Sequence, residues 1–329
     1  MNQRNQIKNL VFLALVCLAV LFASTAPAET VSGQNAENQA LTGSLLLDQE
    51  RWNKDLTNLR IEKTGCYTFG ESSKKYGIND IIPNEQGLGD LYISGSEDFS
   101  PFQFEKLAET LRKEAGDREI WVIDLRRESH VMMGDVPVSW KVGHNEGNPG
   151  LTAEEIEADE KTRFTPFVGQ TLQTGRRQKE SAELGKVLTE REMVEAAGFR
   201  YYRLPLQDHV WPQPEEIDEF IRFVNGLDTD KVWLHFHCKA GKGRTAIMMI
   251  LYDKMRNPDI PITDIAVRQA RLGGGYPLYP GDSQDSQDGW KAPLYAEKAR
   301  MTPLLGRYVE ENHQSGYRTS WSDWIKMNE

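Results

Sequence analysis

Residues 232–246, Val-Trp-Leu-His-Phe-His-Cys-Lys-Ala-Gly-Lys-Gly-Arg-Thr-Ala, constrain the fold more than any other part of the chain. An apolar run closes at His237-Cys238. Five residues that include two glycines follow, and Arg244-Thr245 then lead into the apolar segment 247–252. A strand that feeds a tight glycine-bearing loop and then a helix N-terminus is an anion site, because loop amides and helix dipole converge on one point. Lys239, Ala240, Gly241, Lys242 and Gly243 form the loop, and the two glycines relieve the steric cost of the curl. Arg244 adds a planar fork that grips two phosphate oxygens. Cys238 lies at the base of the loop, where amides, dipole and Arg244 all favour a thiolate. Such surroundings bring a cysteine from about 8.5 to roughly 3.5–7.5. A lone buried cysteine is ordinarily a small hydrophobe, but the preceding histidine, the glycines, the following threonine and the flanking strand and helix patterns set this one apart. The expectation is a nucleophile beside a bound phosphate.

Cleavage of a phosphate ester by a thiolate needs a proton donor for the departing oxygen. Asp208, in Gln207-Asp208-His209-Val210-Trp211-Pro212, follows a strand and precedes an amphipathic segment, and Trp211 and Pro212 stiffen its loop. It is expected to protonate the leaving group and then, as a base, to activate the water that opens the phosphocysteine. His209 either contacts substrate or only packs. His237 is expected to orient the loop, Thr245 to donate to the Cys238 sulfur, and Lys239 and Lys242 to widen the positive field.

The first 28 residues read as a secretory signal: Arg4 and Lys8, an apolar run from Leu10 to Ala23, and Ala26-Pro27-Ala28 before Glu29. The apolar run is too short to span a bilayer. Export to the periplasm or beyond is therefore expected, with a polar lead-in over 29–50 and no stable membrane association after processing. Removal of the segment takes two cations and no acid, so the net charge moves from −10 to −12. That balance disfavours nucleic acid as a partner. It does not exclude an anionic small molecule, because charges beyond about 8–10 Å are screened at ordinary salt. Cys66 and Cys238 alone remain of the three cysteines, too few for a disulfide scaffold. A bridge between those two would disable the nucleophile.

Strand and helix signals alternate. Strands are expected at 91–94, 119–125, 199–206 and 232–237. Helices are expected from the Ser100/Gln103 box to about Glu114, after the Thr152/Glu155 and Thr189/Glu192 boxes, and over 214–224, 243–255, 263–271 and 293–312, the last of them closing the chain. This predicts an α/β fold with a central, mostly parallel sheet flanked by helices, whose ligand sits beyond the carboxyl ends of the strands. The alternation breaks over about 132–186, which suggests a small inserted lobe in a catalytic domain spanning 51–329.

Asp124-Leu125-Arg126-Arg127-Glu128-Ser129-His130, Asp208 to Pro212, and His235 to Thr245 occur in one order. A C-terminal block, Gly289-Trp290-Lys291 through Tyr295 and Lys298 to Trp324, follows them. Together these resemble the bacterial protein-tyrosine-phosphatase-like inositol polyphosphatases, the cysteine phytases. The resemblance implies a phosphatase core with a small β-rich lobe that hydrolyses myo-inositol hexakisphosphate stepwise, with no metal or other cofactor. It maps nucleophile, arginine and acid onto Cys238, Arg244 and Asp208, and substrate contacts onto Arg126, a cleft-facing Glu128, Lys291, Tyr295 and Lys298. The last three share one helical face at spacings of four and three. Lys239 and Lys242 depart from many relatives and give the loop the look of phosphoinositide lipid phosphatases; Lys63 and Arg176 or Arg177 are possible stand-ins for the family's other basic contacts. A protein-tyrosine phosphatase would share the chemistry but gain nothing from Lys239, Lys242, Lys291 and Lys298. A lipid phosphatase would want a basic membrane-facing surface, and a non-enzymatic binding module would not need Cys238 with Asp208.

Overall fold

In the computed structural model, residues 43–49, 51–56, 58–62, 75–174, 180–281 and 289–329 are described. Along the chain come β1 (Ser44–Leu47), β2 (Arg60–Ile61), β3 (Ile93–Ser96), α1 (Pro101–Ala115), β4 (Glu119–Asp124), β5 (His130–Met133), β6 (Val136–Lys141) and α2 (Ala153–Phe164). There follow β7 (Thr171–Thr174), β8 (Glu180–Glu183), β9 (Val187–Leu188), α3 (Glu190–Ala196), β10 (Arg200–Arg203), α4 (Pro214–Asn225) and β11 (Val232–His237). The C-terminal part is helical: α5 (Gly243–Arg256), α6 (Ile262–Arg271), α7 (Ala292–Asn312) and α8 (Trp321–Asn328).

The central sheet runs β10-β4-β11-β3-β2, parallel except for the antiparallel edge strand β2. This is the α/β architecture that the alternating pattern predicts. Both faces are covered, so the strands are apolar on both sides. Ile120 and Val122 of β4 and Trp233 of β11 pack with Leu107 and Leu111 of α1 and Val194 of α3. Ile123, Leu234 and Phe236 face the other way, onto Phe220 of α4, Met248 and Leu251 of α5, and Leu305 of α7. Register sets the site: His237 lies opposite Ser96 on one side and Asp124 on the other. The loop after β11 therefore leaves the sheet level with the carboxyl ends of β3 and β4.

The capping boxes at Ser100, Thr152 and Thr189 all form. Three boundaries differ from expectation. The first strand starts at Ile93 because Tyr92 has φ 55°, which a strand cannot hold. β10 stops at Arg203: Leu204 N–H still reaches the Asp124 carbonyl at 2.8 Å, but Leu206 N–H then turns back onto the Leu204 carbonyl at 2.8 Å and the chain leaves the sheet. The helix ending at Asn312 is not the last: Ser320 caps a further helix, α8, by accepting from Asp323 N–H.

The insertion is a second sheet, β1-β6-β5-β9, with the β7–β8 hairpin and α2, around a core of Val131, Met133, Val138, Trp140 and Phe164. It starts at His130 and takes in β1, so part of the expected polar lead-in is a strand. The segment expected to be a secretory signal, Cys66, Lys63, Arg176 and Arg177 lie outside the described residues. Among those described, no helix is long and apolar enough to cross a membrane.

Candidate active site

The loop after β11 is held by its carbonyls. Lys239 O accepts from Asp98 N–H at 3.3 Å, Ala240 O from Asn58 Nδ2 at 3.3 Å and Gly241 O from Arg60 Nη1 at 2.7 Å. In a planar trans peptide the next N–H points opposite to the carbonyl. Three carbonyls drawn outward therefore turn the amides of Ala240, Gly241 and Lys242 toward the centre of the loop. Gly241 is required here. Its φ is 65°, and a Cβ would meet the Ser96 carbonyl oxygen at 2.3 Å. Gly243 opens α5, whose free first-turn amides join the ring. Cys238 at the base is a free, buried thiol.

Beneath the loop lies a lattice of buried charge. Arg244 donates to both Glu128 oxygens, at 2.7 and 3.0 Å, and to the carbonyls of Leu125 and Leu206. Its Nη2 also lies 3.4 Å from Asp208 Oδ1. Its Nε is buried without a partner among the described residues, a donor left for an anion. Burial works to raise the Glu128 carboxyl, but Arg244 and Arg126 outweigh it and hold the group well below the usual carboxylate range. Arg126 is spent on Glu128, Asp48 and Asp98, at 3.0, 3.1 and 2.9 Å. Arg126 and Glu128 are each 1% exposed, as closely packed as Arg244 and Cys238 at 3%. A carboxylate aimed at a phosphate would repel it, whereas one beneath Arg244 fixes the guanidinium.

Lys239 reaches down to Asp48 Oδ1 at 2.9 Å, and Ser139 Oγ and Arg126 complete the ring around that carboxylate. Burial opposes ionisation of Asp48, yet Arg126 and Lys239 pull it down to about 2, while burial and the Asp48 charge push Asp98 up to about 7. Lys239 therefore serves the loop as well as the field, and Lys242 is exposed at its rim. His237 Nε2 lies 2.7 Å from Glu190 Oε1, at the N-terminus of α3, and His130 Nε2 3.2 Å from Glu190 Oε2. The His237 contact is an approach of charge-bearing groups rather than a hydrogen bond, since neither His237 Nε2 nor Glu190 Oε1 has a hydrogen-bond partner among the described residues. Asp124, Glu190 and His237 bring one donor atom each within 4.8 Å of one another. Asp124 is engaged by Arg203 and Tyr201 at 3.1 and 2.9 Å and Glu190 by His130, so the cluster is an ion-pair network. Thr245 is buried in the first turn of α5, but its hydroxyl has no hydrogen-bond partner among the described residues, so the expected donation to sulfur is absent here.

Asp208 stands beside Arg244. Its Oδ2 accepts from Asn145 Nδ2 at 2.8 Å, and its Oδ1 from the His209 N–H at 3.0 Å. Burial pushes its carboxyl up, but Arg244, His209 and the Asn145 bond prevail and the net shift is down. His209, at φ 69°, sits edge-on to Trp290 at 5.1 Å, and His144 stacks on the same indole at 3.8 Å. Lys291 and Lys298 lie over the rings of Trp290 and Tyr295, at 5.3 and 5.6 Å. Burial lowers Lys298 to about 8 despite the opposing Asp208, with Arg244 and Lys291 adding to the fall. The structure thus gathers Cys238, Arg244, Asp208, His209, Lys291 and Lys298 around one cleft. Sequence reasoning missed Asp48, Arg60, Asn145 and Glu190, all brought in from distant segments.

An α/β core with a Cys-X5-Arg loop at the carboxyl end of a central parallel strand defines the cysteine-phosphatase class of folds. A family model for PTP-like phytases, described by inositol hexakisphosphate, matches residues 123–256. The structure of the PTP-like myo-inositol phosphatase from Mitsuokella multacida in complex with myo-inositol-(1,3,4,5)-tetrakisphosphate has a TM-score of 0.78 at 35% identity, covering 89% of this chain and 50% of that one. A PTP-like phytase from Bdellovibrio bacteriovorus has a TM-score of 0.65 at 28% identity, covering 92% of this chain and 100% of that one. Among curated proteins, the effector protein hopD2 of Pseudomonas syringae pv. tomato is 27% identical over 250 residues, 72% of this chain and 52% of that protein. The chain spans about half the length of hopD2 and of the Mitsuokella chain. Over the residues matched, the chain is similar to the PTP-like phytases in sequence and in fold.

Proposed function

We propose that the protein is a phosphoric monoester hydrolase that removes phosphates stepwise from myo-inositol hexakisphosphate and lower inositol polyphosphates, and that it acts outside the cytoplasm after export on its N-terminal signal. The observation that carries the reading is the convergence of a one-phosphate loop, an acid and a pair of lysines on a single cleft. The loop amides and Arg244 hold the phosphate to be cleaved. The Cys238 sulfur attacks phosphorus, the bond from phosphorus to the inositol oxygen breaks, and Asp208 delivers its proton to that oxygen. Water then attacks the cysteinyl phosphate, Asp208 takes the water's proton, and sulfur leaves as thiolate. In the free site Arg244 keeps Asp208 ionised. A bound phosphate offsets that cation and returns the carboxyl to its proton-carrying form. Every charge in this cycle is handled by the chain's own groups, with no metal required.

A substrate that leaves several phosphates outside the loop gains from Lys291 and Lys298. The inositol phosphate bound in the Mitsuokella relative is of that kind. Phosphate release from inositol hexakisphosphate, a phosphotyrosine peptide and a soluble phosphoinositide tests the reading. Inositol hexakisphosphate is expected to give the highest kcat/KM, and preference for the peptide would overturn the substrate assignment.

A further inference from the structure

The acid is held from outside the catalytic core. The turn that follows β6 carries Gly143 at φ 51° and Asn145 at φ 70°, and Asn145 N–H closes it on the Val142 carbonyl at 2.8 Å. Arg127 pins the turn, donating to the carbonyls of Gly147 and Glu146 at 2.9 and 3.2 Å. Asn148 returns a bond to the Arg127 carbonyl and another to Ser129 Oγ, both at 2.9 Å. The anchored turn presents a nearly buried Asn145 to Asp208 Oδ2, and the neighbouring His144 stacks on Trp290. An ionised carboxylate only accepts, so the amide must present its NH₂.

We infer that Asn145 is the positioning residue of the general acid: by donating to Oδ2 it fixes the orientation of the Asp208 carboxyl beside Arg244. The inference rests on the hydrolase reading and adds to it what aims the acid. Oδ1 accepts the His209 N–H and lies 3.4 Å from Arg244 Nη2, and Oδ2 has His209 Nε2 at 3.4 Å besides the Asn145 amide. The charged groups that act on Asp208 are Arg244, Glu128, His209 and Lys298. Asn145 adds a neutral donor, which favours the ionised carboxyl without altering the net charge of the cleft. The acid is thus already set before substrate arrives, with its loop tied to the inserted lobe.

The test uses the full chain with Asn145→Ala and, as reference, Asp208→Asn. Asn145→Ala is expected to lower kcat on inositol hexakisphosphate about tenfold, well short of the ~10²–10⁴-fold worth of the acid itself. Its KM should stay within about twofold, and an activated aryl phosphate, whose leaving group needs little protonation, should lose less than about threefold. With one donor to the carboxylate gone, Asp208 keeps its proton to higher pH, so the basic limb of kcat/KM moves up. The same upward move should appear in the ¹³C NMR titration of the Asp208 carboxyl, a readout independent of any substrate. A melting temperature near that of the parent separates aim from folding. Equal losses on both substrates with an unmoved titration would overturn the inference. If the parent cleaves aryl phosphate but not inositol phosphates, the substrate reading fails while the titration still decides the role of Asn145.

Discussion

The floor and the rim of the cleft are built on opposite principles. In the floor, Arg244, Arg126, Glu128, Asp48, Asp98 and Lys239 form a closed lattice of ion pairs, and all but Lys239 are nearly fully buried. At the rim, Lys291 lies over Trp290 and Lys298 over Tyr295, with His209 edge-on to Trp290, all at 5–6 Å; Trp290 is exposed, Lys291 and His209 are half-buried and Lys298 is buried. A phosphate entering the floor finds donors that need no rearrangement, which is how electrostatic catalysis avoids a reorganisation cost. A phosphate at the rim meets cations whose neighbours are rings. The floor is therefore suited to one geometry of one group, and the rim to a variable number of charges.

Four experiments break or sharpen that contrast. The largest effect belongs to Cys238→Ser, which should cut turnover on the order of 10⁴-fold or more, the scale on which lost nucleophiles act, while calorimetry still shows inositol hexakisphosphate bound by the intact loop. A few per cent of residual turnover in pure protein would argue against covalent chemistry. Glu128→Ala leaves two buried guanidinium groups short of a partner and should cost about 3–5 kcal/mol of stability, read by urea unfolding. A cost under about 1 kcal/mol, the scale of an exposed pair, would show that the floor is not a mutually dependent lattice. Lys291→Ala with Lys298→Ala removes two charged contacts, each worth roughly 1.5 kcal/mol at the cautious end. At 1.4 kcal/mol per tenfold, kcat/KM on inositol hexakisphosphate should fall about a hundredfold, while a simple aryl phosphate is nearly unaffected. Equal small losses on both would return these lysines to ordinary surface charges.

The smallest effect is a pH dependence. Burial holds Lys298 at about 8, so it is charged below that pH and neutral above it. Raising pH through 8 should therefore increase KM for inositol hexakisphosphate, by up to about tenfold for one lost charged contact. A bound polyanion favours the protonated lysine, so kcat should stay flatter than kcat/KM. In Lys298→Ala the step in KM should vanish; if it persists, another group titrates there.

The parts of the site legible in the sequence are those whose chemistry is local. Cys238, the glycines and Arg244 are read from one short stretch, because strand, loop and helix N-terminus are consecutive. Lys291, Tyr295 and Lys298 come from the resemblance of the C-terminal block, and Lys291 lies just before the helix that carries the other two. Glu128 marks the limit: its motif locates it, but whether an acid faces substrate or arginine depends on which side is buried. Asp48, Arg60, Asn145 and Glu190 carry no local signal. Asn145 looks like any turn residue after a glycine, and Asp48 lies in a polar stretch that reads as lead-in. Their roles exist only once segments far apart in the chain have met. The fold itself was more legible, since apolar runs and capping boxes fix most elements, and it failed at Tyr92 and after Leu204, where single backbone angles or turns end a strand.

The bond from Arg60 to Gly241 joins residues 181 apart, and Asp48 reaches Lys239 over a similar span. Contacts of such sequence separation form late, because the chain must first meet the entropy of closing long loops. The floor therefore cannot assemble piecemeal as the chain emerges. Until the last strand and its loop arrive, Asp48, Arg126 and Glu128 are charges without their full set of partners, and a compact state with them inside is penalised. The same lattice that readies the protein for phosphate is thus completed only once β11 and the loop after it have been added.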